Sequence, residues 1–196
     1  MTRMLLMGPP GSGKGTQATR IADKLGIVPI STGDIFRHNV KNMTELGREA
    51  KRYMDAGDFV PDALTNRMVA DRLAQADAAS GFLLDGYPRT AGQVEALDAM
   101  LARQGHALDA VLELEVDDDA IVGRLLKRAE TDGRSDDTED VIRDRQAIYY
   151  RETAPLSHHY DEAGLLVRVD GMGSVEQVSD RLVQALPAHQ SAPQNS

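Results

Sequence analysis

The sequence of 196 residues contains no cysteine, so disulfides, thiolate metal ligands and cysteine nucleophiles are excluded from its chemistry. It also lacks a long apolar run near its start, because only the four apolar residues at positions 4–7 precede Gly8. A secretory signal or a membrane-spanning helix requires a longer apolar segment. These absences predict a soluble, cytoplasmic protein without a membrane partner.

Positive charge is also scarce, since 22 lysines and arginines stand against 31 aspartates and glutamates, for a net charge of −9. A negative surface repels nucleic acid, so we expect no nucleic-acid partner. Any polyanionic small molecule must then be met by a local group of cations. Seventeen of the basic residues are arginines and only five are lysines, so arginine positions matter most for function.

Five short apolar runs are present, at positions 3–7, 26–31, 82–85, 110–116 and 165–170, and each is followed by a stretch with helical spacing. The runs show no polar alternation, which is typical of strands buried on both faces. The pattern predicts a single α/β domain over residues 1–186, with a five-stranded parallel sheet between two layers of helices. The polar, aperiodic segment 187–196 is predicted to be a disordered tail.

Two segments do not fit simple strand-helix alternation. Residues 32–81 separate the second and third strands and contain breaks at Gly47, Gly57 and Pro61, which predicts an inserted subdomain of short helices. Residues 129–137 form a charged loop between helical patterns at 118–128 and 138–153.

The stretch GPPGSGKGTQ at positions 8–17 comes close to the phosphate-binding consensus G-x-x-x-x-G-K-[S/T]. Gly15 stands where the consensus has a hydroxyl residue, and Thr16 supplies a hydroxyl one position later. A strand, a glycine-rich loop and a helix together present backbone N–H groups to an anion, and Lys14 adds a positive charge. The alternative is a glycine-rich turn that binds no ligand.

Other polar positions follow the predicted strands, where parallel sheets bind ligands. Thr32 lies in the stretch STGD, which could bind a ligand or simply cap a helix. Asp85 ends the third strand, either as an ordinary strand-end carboxylate or as an acid that holds Mg²⁺ or its water shell. Arg89 follows in the stretch DGYPR and could grip a phosphate with two parallel hydrogen bonds.

Four further arginines cluster around the charged loop, at positions 124, 128, 134 and 145. They could form a solvated charged face. Arg145, however, is spaced three and four residues from Ile142 and Val141, within an apolar stripe where a cation needs an anionic partner.

Four stretches together resemble the adenylate kinases in order and spacing: GPPGSGKGTQ, STGDIFR at 31–37, FLLDGYPRT at 82–90 and GRSDDTEDVIRDR at 133–145. The resemblance covers about residues 1–186. It implies a P-loop three-layer fold with a helical acceptor-nucleotide subdomain at 31–60 and a short lid loop at 128–138 that holds no zinc. The implied reaction is Mg²⁺-dependent phosphoryl transfer from ATP to AMP, giving two ADP, by a monomer.

The resemblance also implies a role for individual residues. Those implied to bind ATP are Gly11, Ser12, Gly13, Lys14, Gly15, Thr16, Arg124, Arg128 and Gly173. Those implied to bind AMP are Thr32, Gly33, Arg37, Asp58, Phe59, Val60, Gly86, Tyr87, Pro88, Arg89, Gln93, Arg134 and Arg145. The implied catalytic residues are Lys14, Arg89, Arg128, Arg134 and Arg145. Asp85, and Thr16 through water, are implied to hold Mg²⁺, and the Tyr87–Pro88 peptide is implied to be cis.

Two alternatives remain at this point. A UMP or CMP kinase of the same fold usually has alanine at the position of Thr32 and a different residue near Gln93, so both positions favour adenine. A non-catalytic nucleotide-binding switch would not need the acceptor residues Thr32, Arg37, Arg89 and Gln93. The sequence also lacks an N-K-x-D guanine signature.

Overall fold

The computed structural model of the protein describes residues 2–56, 60–132 and 139–186. Its centre is a parallel sheet of five strands in the order β2-β3-β1-β4-β5, which confirms the predicted α/β sheet. The strands are β1 (Thr2–Met7), β2 (Val28–Ser31), β3 (Gly81–Asp85), β4 (Ala110–Glu115) and β5 (Leu166–Asp170). The second strand is shorter than predicted because Gly26 ends the preceding helix in a left-handed conformation.

Helices connect the strands and pack on both faces of the sheet. They are α1 (Lys14–Leu25), α2 (Thr32–Lys41), α3 (Glu45–Ala56), α4 (Asp62–Leu73), α5 (Ala91–Ala102), α6 (Asp118–Asp132), α7 (Glu139–Ile148), α8 (Leu156–Glu162) and α9 (Val175–Ala185). A 3₁₀ turn, Ala76–Ser80, precedes β3, and a π turn, Tyr149–Thr153, follows α7. Within the described residues, no helix has the length and apolar composition needed to cross a lipid bilayer.

Both faces of the central strand are buried, which explains why its sequence shows no polar alternation. Successive side chains of a strand point to opposite faces. Met4 and Leu6 pack with the apolar faces of α1 and α9. Leu5 and Met7 pack with those of α2, α3, α4, α5 and α8 on the other side. A smaller cluster of Ile121, Leu125 and Ile142 joins α6 to α7.

The long crossover between β2 and β3 contains several short helices, as predicted. Pro61 directly precedes α4 and confirms one predicted break. The predicted break at Gly47 is wrong, because this glycine lies inside α3. A Cβ atom at Gly47 would lie 2.0 Å from the Asn39 carbonyl oxygen, so glycine here permits close contact between α3 and α2. Gly57, the third predicted break, lies outside the described residues.

The predicted charged loop does not begin at residue 129, because α6 continues to Asp132. Residues 129–132, predicted as loop, are therefore helical. Ala129 and Glu130 are good helix formers and the first glycine comes only at Gly133, so nothing in the sequence ends the helix earlier. The remainder of the predicted lid, 133–138, and the predicted tail, 187–196, lie outside the described residues.

Candidate functional site

Three strand ends meet at the carboxyl edge of the sheet and open into one cleft. Ser31 in β2 and Leu6 in β1 both pair with Asp85 in β3, so the loops that follow these strands are neighbours. The cleft has a volume of about 710 Å³ and is lined by these loops and by part of α6. It lies where open parallel sheets bind ligands.

The glycine-rich loop between β1 and α1 has the conformation that its sequence predicts. Gly8, Gly11 and Gly13 have φ angles of 146°, 85° and 90°, which other residues rarely adopt. A Cβ atom at Gly11 would lie 2.7 Å from Cγ of Leu125, so the loop passes close to α6. Gly13 then occupies the N-cap position of α1, and the first N–H groups of a helix are available to an anion.

The lysine of the loop folds back over the loop itself. Lys14 Nζ donates hydrogen bonds to the carbonyl oxygens of Gly8, at 2.7 Å, and Pro9, at 2.8 Å. It also lies 3.4 Å from the buried Ser12 hydroxyl. Thr16 is exposed and lines the cleft, so its hydroxyl is accessible to a ligand. The loop thus holds its cation close to the backbone that would surround a phosphate.

A carboxylate faces the glycine-rich loop from the end of β3. Partial burial raises the pKa of Asp85, while the charges of Lys14 and Arg89 oppose the shift and that of Asp34 adds to it. A Cβ atom at Gly15 would lie 3.9 Å from Oδ2 of Asp85, so the missing side chain leaves the carboxylate open to the loop. A cation in this space would favour the ionised form of Asp85.

Arg89 is held in place at three points. Its Nε donates to the Gly86 carbonyl at 2.7 Å. Its backbone N–H donates to Gln93 Oε1 at 2.7 Å, and its carbonyl accepts from the Thr153 hydroxyl at 3.1 Å. The side chain lines the cleft and is therefore positioned before any ligand binds.

The charges of two arginines, Arg89 and Arg145, act on each other. Desolvation lowers the pKa of the Arg89 guanidinium, the negative charge of Asp85 opposes this shift, and the positive charge of Arg145 adds to it. Arg145 is half-buried on α7, one turn after the fully buried Ile142, as the apolar spacing predicts. A second cation whose charge acts on Arg89 suits this side of the site to a ligand with several negative charges.

The loop after β2 forms another wall of the cleft. Thr32 begins α2, is 3 % exposed, and donates its hydroxyl hydrogen bond to the Gly86 carbonyl at 3.0 Å. A Cβ atom at Gly33 would lie 3.1 Å from a guanidinium nitrogen of Arg37, which shows how closely this side chain approaches the backbone. Arg37 is exposed and forms an ion pair with Asp34. An anionic ligand could replace this carboxylate.

Other described residues of the predicted AMP set are buried or partly buried. Tyr87 is buried, its hydroxyl bonds Asn66 Oδ1 at 2.7 Å, and burial raises its pKa. Pro88 is also buried, and the Tyr87–Pro88 peptide is cis. Val60 is partly buried against the larger apolar core. The buried Tyr87, through its bond to α4, anchors the loop after β3 to the core.

The predicted ATP side is brought together by α6 and the loop after β5. An Arg124 guanidinium nitrogen lies 3.9 Å from Sδ of Met172, the residue before Gly173. Gly173 has a φ of 110°, which favours glycine. Arg128 lies on α6, but its side chain is outside the described part of the molecule. The other predicted residues outside it are Arg134, Asp58 and Phe59.

Three polar residues that the sequence did not identify support this site. Asp62 accepts hydrogen bonds from Thr90 and Gln93, at 2.6 Å each, and Thr153 holds Arg89. Thr90 also caps α5, a role that a threonine before a helix could have signalled. Asp62 and Thr153 carry no such local signal, because their partners are far away in the chain.

The fold and the site define a P-loop phosphotransferase that binds nucleotides. They combine a parallel sheet, a lysine-bearing glycine-rich loop on its central strand, and arginines across the same cleft.

The family model for adenylate kinase matches residues 6–165. An adenylate kinase of Micrococcus luteus is 70 % identical over 192 residues, covering 98 % of this chain and 94 % of the relative. An adenylate kinase of Pseudarthrobacter chlorophenolicus is 59 % identical, and the match covers 98 % of this chain and 100 % of the relative. An adenylate kinase of Nocardioides sp. is 60 % identical, and the match covers 94 % of this chain and 96 % of the relative. The chain belongs to the adenylate kinase family, phosphotransferases that interconvert ATP, AMP and ADP.

Proposed function

We propose that the protein catalyses the reversible transfer of the γ-phosphoryl group of ATP to AMP, giving two ADP. The observation that carries this proposal is that Lys14 and Arg89 line the same cleft, one in a phosphate loop and the other in a separate loop. One loop would hold the phosphates of the donor and the other the phosphate of the acceptor. Family membership agrees with this arrangement.

Phosphoryl transfer of this kind requires in-line positioning and neutralisation of charge more than a covalent nucleophile. In our proposal the backbone of Gly11, Ser12 and Gly13 and the ammonium group of Lys14 bind the donor phosphates. Arg37 and Arg89 bind the acceptor phosphate. Arg145, whose charge acts on Arg89, stabilises the negative charge of the phosphoryl group during its transfer.

The donor residues fit ATP bound as its magnesium complex. Mg²⁺ prefers oxygen ligands and usually keeps several waters beside one or two carboxylates and the substrate phosphates. Asp85 offers such a carboxylate opposite Gly15, and Thr16 offers a hydroxyl that can act through water. Among the described residues, no group of three or more histidine, aspartate or glutamate side chains is arranged to hold a metal by itself. When bound, the ion would supply charge neutralisation at the phosphates.

Two moving segments complete the proposal. Residues 31–60 would close over AMP, with Asp58, Phe59 and Val60 lining the adenine pocket. Residues 128–138 would close over the phosphates and bring Arg128 and Arg134 to them, while Arg124 and Gly173 contact the donor adenine. Closure excludes water, which would otherwise hydrolyse ATP. We further propose that the protein acts as a cytoplasmic monomer.

The acceptor base is the point on which close alternatives differ. We propose that Thr32 and Gln93 select adenine. ADP formation should be measured from ATP with AMP, UMP or CMP, and without an acceptor. Of the three acceptors, only AMP is expected to give rapid turnover with ATP. Equal or faster turnover with UMP or CMP would reassign the acceptor. If no acceptor increases turnover, the protein would instead be a nucleotide-binding switch.

A further inference from the structure

The amide group of Gln93 is held at both ends by groups of opposite hydrogen-bonding character. Its Oε1 accepts a hydrogen bond from the backbone N–H of Arg89 at 2.7 Å. Its Nε2 donates to Oδ1 of Asp62 at 2.6 Å. The side chain is only 5 % exposed, so water cannot easily replace either partner.

These two partners permit one orientation of the amide. A backbone N–H can only donate, and an ionised carboxylate can only accept. If the amide were rotated by half a turn, its NH₂ group would face the Arg89 N–H and its oxygen would face the Asp62 carboxylate. Both contacts would be repulsive, so Asp62 and Arg89 together select the observed orientation.

Asp62 is itself firmly placed. Its second oxygen accepts from the Thr90 hydroxyl at 2.6 Å, and that hydroxyl oxygen in turn accepts from the backbone N–H of Gln93 at 3.2 Å. The carboxylate at the start of α4 is therefore bound to the first turn of α5 through both oxygens. A bidentate acceptor of this kind cannot turn away without losing both bonds.

The clamped amide retains one N–H and one oxygen lone pair for a further partner. Adenine offers an amino donor beside a ring nitrogen acceptor, which matches an amide oxygen and N–H in one order only. Hypoxanthine has a keto oxygen and a ring N–H at the corresponding atoms, so it needs the opposite order. A freely rotating glutamine could bind either base, whereas a clamped one binds only one of them well.

We propose that Asp62 is a specificity-determining residue that locks the Gln93 amide in the orientation that accepts adenine and rejects 6-keto bases. The inference rests on the proposed function, in which Gln93 contacts the acceptor base. Asp62 does not itself touch the nucleotide; it acts as a positioning residue through Gln93.

The test compares AMP with inosine 5′-monophosphate, which differs from AMP only at the edge of the base that would face the Gln93 amide. The ratio of kcat/KM for AMP to that for inosine monophosphate should be measured with ATP as donor in wild type and in Asp62→Ala. We expect the ratio to fall about tenfold in the variant, which corresponds to losing one hydrogen bond to a charged group. A general loss of folding would lower both rates and leave the ratio unchanged.

Two further variants test the acceptor-only character of Asp62 and damage to the helix. Asp62→Asn replaces a carboxylate that can only accept with an amide that can also donate, so its ratio should fall between those of wild type and Asp62→Ala. Asp71→Ala makes the same change as Asp62→Ala at an exposed position of the same helix and should leave the ratio unaltered.

The outcomes also separate this inference from the function beneath it. If the wild-type protein fails to phosphorylate AMP, the proposed function is wrong. If it prefers AMP and Asp62→Ala keeps the wild-type ratio, the function stands and the lock is overturned. If Asp62→Asn keeps the full wild-type ratio, an acceptor-only partner is not what selects the orientation of the amide, and the lock is likewise overturned.

Discussion

The glycine-rich loop and the loop after β3 form walls of the same cleft but are built in different ways. The first is shaped by its own backbone, through glycines with positive φ and a lysine that bonds carbonyls five and six residues away. The second is held by side chains of three other elements: Thr32 from α2, Gln93 from α5, which directly follows the loop, and Thr153 from the π turn.

This difference predicts how each wall responds to substitution. In the glycine-rich loop a single side chain, Lys14, carries the positive charge, so one change should remove most of the function. In the other loop several hydrogen bonds support the same backbone, so each substitution should have a smaller effect.

Lys14→Met should lower kcat by about 10²–10³-fold, which is typical of removing one electrostatic contact to a transition state. The glycine backbone remains, so the fold should persist, and circular dichroism provides the control. Coupled measurement of ADP formation gives kcat. Wild-type turnover in a folded Lys14→Met protein would refute the assignment of this loop to phosphate transfer.

Arg145→Ala should lower kcat by roughly 10²-fold, because a cation whose charge acts on Arg89 and that we propose stabilises the transferring group is lost. Arg143→Ala is the matched control, since Arg143 lies on the same helix, is exposed and pairs only weakly with Glu139. The control should keep its activity. Similar losses in both variants would indicate damage to α7 rather than a role for Arg145 at the phosphate.

Asp85→Asn should lower kcat by about tenfold or more and raise the magnesium concentration needed for half-maximal rate, because a carboxylate that faces the phosphate loop is lost. Burial raises the pKa of Asp85, so its ionised form destabilises the free protein at neutral pH. Without nucleotide or magnesium, the variant should therefore melt at a higher temperature than wild type at pH 7.

The stability difference at Asp85 should shrink as the pH falls towards the ordinary pKa of a carboxyl group, where the wild-type residue also becomes neutral. Thermal melts at several pH values check this. A variant that is less stable than wild type at neutral pH would show that Lys14 and Arg89 outweigh the cost of burial.

Thr32→Ala should lower the preference for AMP over CMP by only about three- to tenfold, the effect of one neutral hydrogen bond. Thr32→Ser keeps the hydroxyl and should retain the preference. The ratio of kcat/KM for the two acceptors is the measurement. An unchanged ratio in Thr32→Ala would limit Thr32 to its hydrogen bond with Gly86.

The same contrast explains which parts of the structure the sequence could predict. The strands and the glycine-rich loop follow from local patterns, and the structure confirms them. The contacts of Thr153 with Arg89 and of Asp62 with Gln93 join residues 64 and 31 positions apart, so no local pattern reports them. The break predicted at Gly47 is wrong for a similar reason, because this glycine is required by the close approach of α2 rather than by a turn in its own segment.

The π turn Tyr149–Thr153 makes one stretch of the chain intolerant of insertions and deletions. It follows the helix that carries Arg145 and ends at the threonine that holds the Arg89 carbonyl. Each residue of a regular α-helix turns the chain by about 100°, so adding or removing one residue would rotate the Thr153 hydroxyl away from its partner. Over evolution we therefore expect the segment from Arg145 to Thr153 to keep its length, even where neighbouring loops grow or shrink.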